Sequence, residues 1–322
     1  MLGRLTSHPR RGDLALVGAA MCFGLTFIVV QDAVARVEPL PFIGARFLLG
    51  AAVLWPLARR RPSTPHEWRD GGLAGIALLV GYVLQTVGLQ YTASATSAFI
   101  TYLLVVFVPV LAFVLLRRRP HLLTVAGIAI SVAGLLLLTD PGGTGSTGFG
   151  RGELLTLGCA VAFAAHVVIL GQTAARHDPV RLATIQVAVV GAGCALPGLW
   201  LGGYGFPAAA WTAVVATAIG ATALAFVLQV AGQRTVPPAR AAILLLLEPV
   251  FAATAASTQG DPLSLTQAAG AALILAAVIV TELGPEWLDR RVKTREAAAD
   301  NERSQPARSR PATDAAGGSG VG

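Results

Sequence analysis

The sequence predicts an all-α integral membrane protein with ten transmembrane helices, arranged as two inverted five-helix repeats. Three observations predict it. Hydrophobic residues make up 54% of the 322 residues and charged residues only 13%, with a mean hydropathy of +0.67. That charged share is about half the usual one and too small to coat a soluble globule. The charges it does have lie between long uncharged runs. The chain also matches itself at an offset of about 140 residues. A soluble enzyme and a disordered chain are both excluded.

Taken in order, the runs place ten spans at 14–35, 39–58, 71–91, 95–116, 121–139, 152–174, 179–200, 208–231, 238–257 and 263–283. The first is too long for a signal-peptide core and is followed by no small-residue cleavage site, so it is expected to be retained. The second holds one charge, Arg46. A span needs ~20 apolar residues, so the 46-residue uncharged run 71–116 must be two helices, broken near Tyr91-Thr92-Ala93-Ser94. The fifth follows Arg117-Arg118-Arg119. The sixth carries His166, and the 52-residue run 182–233 must again be two helices, broken at Gly202–Pro207. The ninth holds Glu248, and an uncharged run at 262–281 forms the tenth. Residues 1–13 are expected to be a cytoplasmic N-terminus and 140–151 an outer linker. Residues 284–322, rich in Arg, Glu, Ala, Ser, Pro and Gly, are expected to be a disordered cytoplasmic tail.

Orientation follows from arginine. With the N-terminus inside, 21 basic residues fall on the inner side and only Arg36 and Arg151 on the outer. That split places both termini in the cytoplasm of a multi-pass plasma-membrane protein. The net charge of +7 is therefore topogenic and faces anionic lipid, not nucleic acid. Cys22, Cys159 and Cys194 all fall inside spans and read as small buried hydrophobes.

The repeat is ungapped where it is clearest. Residues 12–39 fall on 152–179, with Gly12, Leu14, Gly18, Ala20, Phe23, Ala35, Arg36 and Pro39 meeting identical residues. At an offset of 143, Gln90, Thr92, Ala98 and Ile100 meet Gln233, Thr235, Ala241 and Ile243. Five spans per repeat is an odd number, so the second copy is inverted, as in many secondary transporters.

At this point the chain resembles the EamA-type transporters of the drug/metabolite transporter superfamily. The resemblance rests on the glycine and Phe pattern of spans 1 and 6, Arg46, LQTVGLQYTASATSAFIT (84–101), VVFVPV (105–110), RAAILLLLEPVFA (240–252) and QAAGAALILAAVIVTEL (267–283). It covers about 14–283, as repeats at 14–139 and 152–283. It implies a central cavity surrounded by spans 1–4 and 6–9, with spans 5 and 10 peripheral.

Catalytic and cofactor motifs are missing. The single lysine, Lys293, lies in the tail, so there is no P-loop. Gly143–Gly148 has Gly-x-Gly-x-x-Gly spacing, but in an outer loop between helices. No Gly-x-Ser-x-Gly or His-Glu-x-x-His occurs. Cys159 and His166 are ~10 Å apart along a helix, too far to share a metal. No enzyme activity, catalytic residue, cofactor or metal is expected.

The polar residues inside spans are the candidate site. Glu248, at the middle of span 9, is too deep to snorkel, and ionisable groups at that depth are costly. Arg46 is ~10 Å below the outer surface, where snorkelling and a functional role are both open. Pro109 frees the Val105 carbonyl and Pro249 that of Leu245, so both are expected to break their helices at matching places. His166, Gln85, Tyr102, Gln186, Gln229 and Thr26 can line a polar path or simply bond neighbouring helices. At the 140 offset Arg46 meets Gln186, His166 meets Thr26 and Glu248 meets Val108. The packing repeats but the charges do not, as a site for an asymmetric solute would require.

The expected function is secondary transport of a small metabolite or drug, exported without ATP by alternating access of the repeats. Proton coupling and a homodimer are compatible with it. The alternatives are a non-transporting receptor or scaffold and an intramembrane enzyme. The topology has a direct check. A cysteine placed within 140–150 should react with an impermeant thiol reagent from outside the cell, and one in the tail should not. The reverse pattern would overturn both orientation and inversion.

Overall fold

Proline and glycine set where the helices begin and where they touch. In the computed structural model the residues described are 10–61, 63–92, 94–117, 122–139, 150–258 and 264–281. Residues 1–9, most of the expected outer linker and the expected tail lie outside them. Among the described residues the structure is helical and has no strand.

The first three spans are α1 (Arg10–Val34), α2 (Pro39–Ala58) and α3 (Pro65–Gly88). The fourth is α4 (Ser94–Tyr102) and α5 (Leu104–Leu116), the fifth α6 (Leu122–Thr139), the sixth α7 (Arg151–Thr173) and the seventh α8 (Pro179–Gly198). The eighth is α9 (Ala208–Thr217), a π-helical segment (Ala218–Leu224) and α10 (Ala225–Gln233). The ninth is α11 (Pro238–Leu245) and α12 (Leu247–Thr258), and the tenth is α13 (Leu265–Thr281). Nine spans are 18 residues or longer and apolar enough to cross a membrane; α13 has 17 residues within the described range.

Proline opens α2, α3, α8 and α11, where its missing N–H is not needed. Asp178 caps α8 by accepting from the N–H groups of Val180 and Arg181 at 3.0 and 3.1 Å. Helix α3 starts six residues before the uncharged run that predicted it. Thr64 caps it by accepting from Glu67 N–H, and the charged residues of its first turns, Glu67 and Asp70, are buried in ion pairs. Absence of charge therefore marked the start too late.

The prolines do not lie where the helices break. The fourth span is interrupted at Leu103 (φ −59°, ψ −6°) and the ninth at Leu246 (φ −67°, ψ −4°). Each of these residues still donates its N–H to earlier carbonyls, Leu103 to Phe99 and Ile100 and Leu246 to Ala242 and Ile243. These positions are 143 apart, the second repeat offset. Pro249 lies in the first turn of α12, where proline is tolerated, whereas Pro109 lies inside α5.

Each repeat packs chiefly against the other. Helix α2 lies on α8, the pair that the repeat relates to itself. Helix α3 packs on α7, and its counterpart, the eighth span, on α1. The ninth span packs on α1, and the fourth on α7 in the same way. Side chains repeat this exchange. A Cβ on Gly12 would meet Thr235 and Val236, and one on Gly152 would meet Tyr91 and Thr92, which is the same contact 143 residues earlier. Gly71 and Gly75 of α3 lie against Ile185, Gln186 and Val189 of α8. The fifth and tenth spans cross backbone to backbone: a Cβ on Gly134 would be 2.8 Å from the Gly270 carbonyl, and one on Gly270 2.5 Å from that of Gly134.

Gly270→Ala should therefore overpack this crossing by about 1–3 kcal/mol and lower the melting temperature in detergent. Gly72→Ala, whose new methyl meets nothing within 4 Å, should be neutral or stabilising. Equal melts for the two variants would count against the crossing.

Candidate functional site

The helix halves farthest from the arginine-rich end enclose most of a cavity of about 210 Å³ between the repeats. It is lined from spans 1, 2, 3, 4, 6, 8 and 9. None of its described lining residues comes from spans 5, 7 or 10. The expected eight-span ring thus lacks α8, whose glycines are used in packing: Gly191 meets Leu48 of α2 and Gly193 meets Leu79 of α3.

Of the eight candidate residues, Thr26, Arg46, Gln85, Tyr102, His166, Gln229 and Glu248 line the cavity. Gln186 does not. It is fully buried behind His166, with its Oε1 2.7 Å from His166 Nε2. Pro109 and Pro249 are buried in the helix packing and line nothing.

Arg46 is only 5% exposed, and its charge is met by rings instead of a carboxylate. Its guanidinium carbon is 5.0 Å from the centre of the Phe47 ring and 5.7 Å from that of Tyr82, and Nη2 donates to the Tyr82 hydroxyl at 3.4 Å. Cation–π contacts of this kind are worth about 0.5–2 kcal/mol. Its Nε is buried without a hydrogen-bond partner. Glu248 faces the same cavity beside the Tyr102 hydroxyl, within the electrostatic reach of Arg46. They form no ion pair: among the described residues Arg46 has no carboxylate oxygen within 4.0 Å. Gly24 of α1 fixes the depth of Glu248, since a Cβ there would collide with the Glu248 carbonyl and lie 2.7 Å from Phe251.

The other polar groups are partly committed. Thr26 donates to the Cys22 carbonyl at 2.6 Å on its own helix. Gln85 donates to Thr101 at 3.4 Å. Gln229 donates to Gln233 at 3.4 Å, which donates on to the Val167 carbonyl at 2.7 Å, so an amide ladder runs from the cavity toward the arginine-rich end.

Sequence reasoning missed the aromatic wall. Phe163, Tyr82, Phe47, Phe226 and Phe23 form a continuous chain of ring contacts through spans 6, 3, 2, 8 and 1, with centroids 5.0–5.8 Å apart. Such pairs are worth about 0.5–1.5 kcal/mol each beyond burial. One signal was available: Phe23 and Phe163 coincide under the 140 offset.

The arginine-rich end carries a cluster of ion pairs, two of them buried. Arg181 of α8 pairs with Glu67 of α3 at 3.4 Å and donates to the carbonyls of Ala58 (2.5 Å) and Arg61. Asp70 accepts from His177 at 2.8 Å and pairs with Arg69 and Arg176, and Asp178 pairs with Arg61. At the opposite end Asp32, Arg36 and Glu38 form no ion pair among the described residues.

Comparison with known proteins accords with this architecture. The model of the EamA-like transporter family matches twice, over residues 10–140 and 150–283. An uncharacterized transporter of Archaeoglobus fulgidus is 30% identical over 275 residues, covering 84% of this chain and 85% of its own. A second from that organism is 27% identical over 277 residues, covering 84% and 96%. The uncharacterized transporter YvbV of Bacillus subtilis is 27% identical over 215 residues, covering 65% and 69%. One solved crystal structure shares the fold with a TM-score of 0.73 at 22% identity, over 86% of this chain and 98% of its own.

Because Arg46 and Glu248 share the cavity without an ion pair, Arg46→Gln and Glu248→Gln should act independently on membrane abundance. Buried partners would instead cost ~3–5 kcal/mol when one is removed. If the double variant restored abundance lost in a single one, measured on the full chain in membranes, the separation described here would be wrong.

Proposed function

The chain belongs to the EamA-like transporter family, and from that membership we propose that it is a secondary exporter of a small metabolite or drug. It works in the cytoplasmic membrane with both termini inside. Two repeats, 14–139 and 152–283, joined by an outer linker at 140–151, carry solute by alternating access without covalent chemistry. The observation that supports this best is the cavity between the repeats, which holds one cationic and one carboxyl side chain among aromatic, apolar and other polar ones. An asymmetric pair on a symmetric scaffold suits a solute bound one way round. The ion pairs at the arginine-rich end, and their lack at the other among the described residues, favour an outward-facing arrangement. Glu248 is the group proposed to contact solute or a coupling proton, with Arg46 orienting the solute from span 2.

The test is flux of a metabolite panel in everted membrane vesicles, with and without a proton gradient. At least one compound should move, and a gradient should change its rate if a proton is coupled. Glu248→Gln should lose about tenfold to a hundredfold in rate at normal abundance, as expected for one hydrogen bond to a charged group. Full activity in that variant would reduce Glu248 to a structural residue. No flux of any compound from folded protein would favour the receptor or scaffold reading.

A further inference from the structure

A second hollow lies outside the solute cavity, on the surface that faces lipid. It is a groove of about 230 Å³ between α2, α3 and α8. Small residues create it, Ala51, Ala52 and Ala58 on α2 and Ala188 on α8, and Trp55 and Trp68, each about half exposed, stand beside it. The groove begins at the arginine-rich end and reaches Ala51, seven residues below the end of α2, and Ala188, nine residues into α8. That is ~10–14 Å of depth at 1.5 Å per residue.

Apart from the tryptophans, its polar residues, Thr184 and Arg181, are engaged within the protein. The Thr184 hydroxyl donates to the Val180 carbonyl at 2.7 Å. The Arg181 guanidinium is taken up by Glu67 and the carbonyls of Ala58 and Arg61. What remains is an apolar slot of acyl-chain character, flanked by the residue type enriched at membrane interfaces.

The mouth differs from the floor. Arg59 adjoins Ala58 and is one helical turn beyond Trp55, and Arg60 follows it. Both are exposed and, among the described residues, neither is in an ion pair. Their neighbours Arg61 and Arg69 are occupied by Asp178 and Asp70. Two unpaired cations above an apolar slot complement a molecule with an anionic head and a hydrocarbon tail. We propose that this groove is a binding site for an anionic phospholipid, whose acyl chain lies between α2 and α8 and whose headgroup phosphate is held by Arg59 and Arg60.

Native mass spectrometry of the full chain in mild detergent, titrated with phosphatidylglycerol or phosphatidylcholine of matched chains, tests this. With each cation near an anionic surface contributing about fivefold, phosphatidylglycerol should bind up to about thirtyfold more tightly. Arg59→Gln with Arg60→Gln, both at exposed positions, should bring that ratio close to one. Ala188→Phe should fill the slot and weaken both lipids, with a thermal melt confirming that it is folded. Equal binding of the two lipids to the unaltered chain, or phosphatidylglycerol binding unaffected by the arginine substitutions, would overturn the proposal. Undiminished binding to folded Ala188→Phe would remove the groove from it and leave only lipid attracted to a basic surface, which also overturns it.

Discussion

In lipid, two apolar helices gain little by hiding their side chains from each other, because the surrounding acyl chains are as apolar as leucine. Association rests on close van der Waals contact, and small residues permit that contact by letting backbones approach. In this chain glycine supplies the approach at nearly every junction between the repeats. Gly44 lies against Ala195 and Gly191 against Leu48 where α2 crosses α8, Gly12 and Gly152 seat the ends of α1 and α7, and Gly24 seats α12. The position of Glu248 depends on that last contact, and the space around it depends on all of them.

The two halves share this packing but not its polar content. The phenylalanines at 23 and 163 face the same cavity from related helices, as a common scaffold requires. Arg46, His166 and Glu248 have no charged or imidazole counterpart in the other repeat. The cavity between the repeats is thus chemically one-sided within a geometrically two-sided frame. Arg46 is held by the Phe47 and Tyr82 rings without a contacting carboxylate, which leaves its charge available to a third party.

Much of this was legible in the chain. Charge-free runs located the spans, because a membrane helix tolerates few charges, and the repeat exposed the inversion. Seven of the eight polar candidates reached the cavity wall for the same reason: an isolated polar residue in an apolar span stands out. Gln186 stood out equally, but burial against His166 is a matter of helix rotation that periodicity does not resolve. Tyr82 and Phe226 escaped notice because an aromatic residue facing a cavity looks the same in sequence as one facing a neighbour. Proline suggested helix breaks, yet a proline in a first turn only follows a break, and Pro109 is accommodated inside α5. The pairings of Glu67 with Arg181 and of Asp70 with Arg176 and His177 were hidden because they join residues more than 100 apart.

The inverted frame has a consequence for energy. If a pseudo-twofold rotation exchanges the two ends, a perfectly repeated scaffold has the same free energy whichever end is shut, so it is degenerate. The resting preference must then come from residues that break the repeat. The network around Arg181, Glu67, Asp70 and His177 is one such departure outside the cavity, and among the described residues Asp32, Arg36 and Glu38 form no ion pair. In the alternating-access cycle proposed above, a few side chains at one end lift that degeneracy, and the bias they set can be retuned without touching the cavity between the repeats.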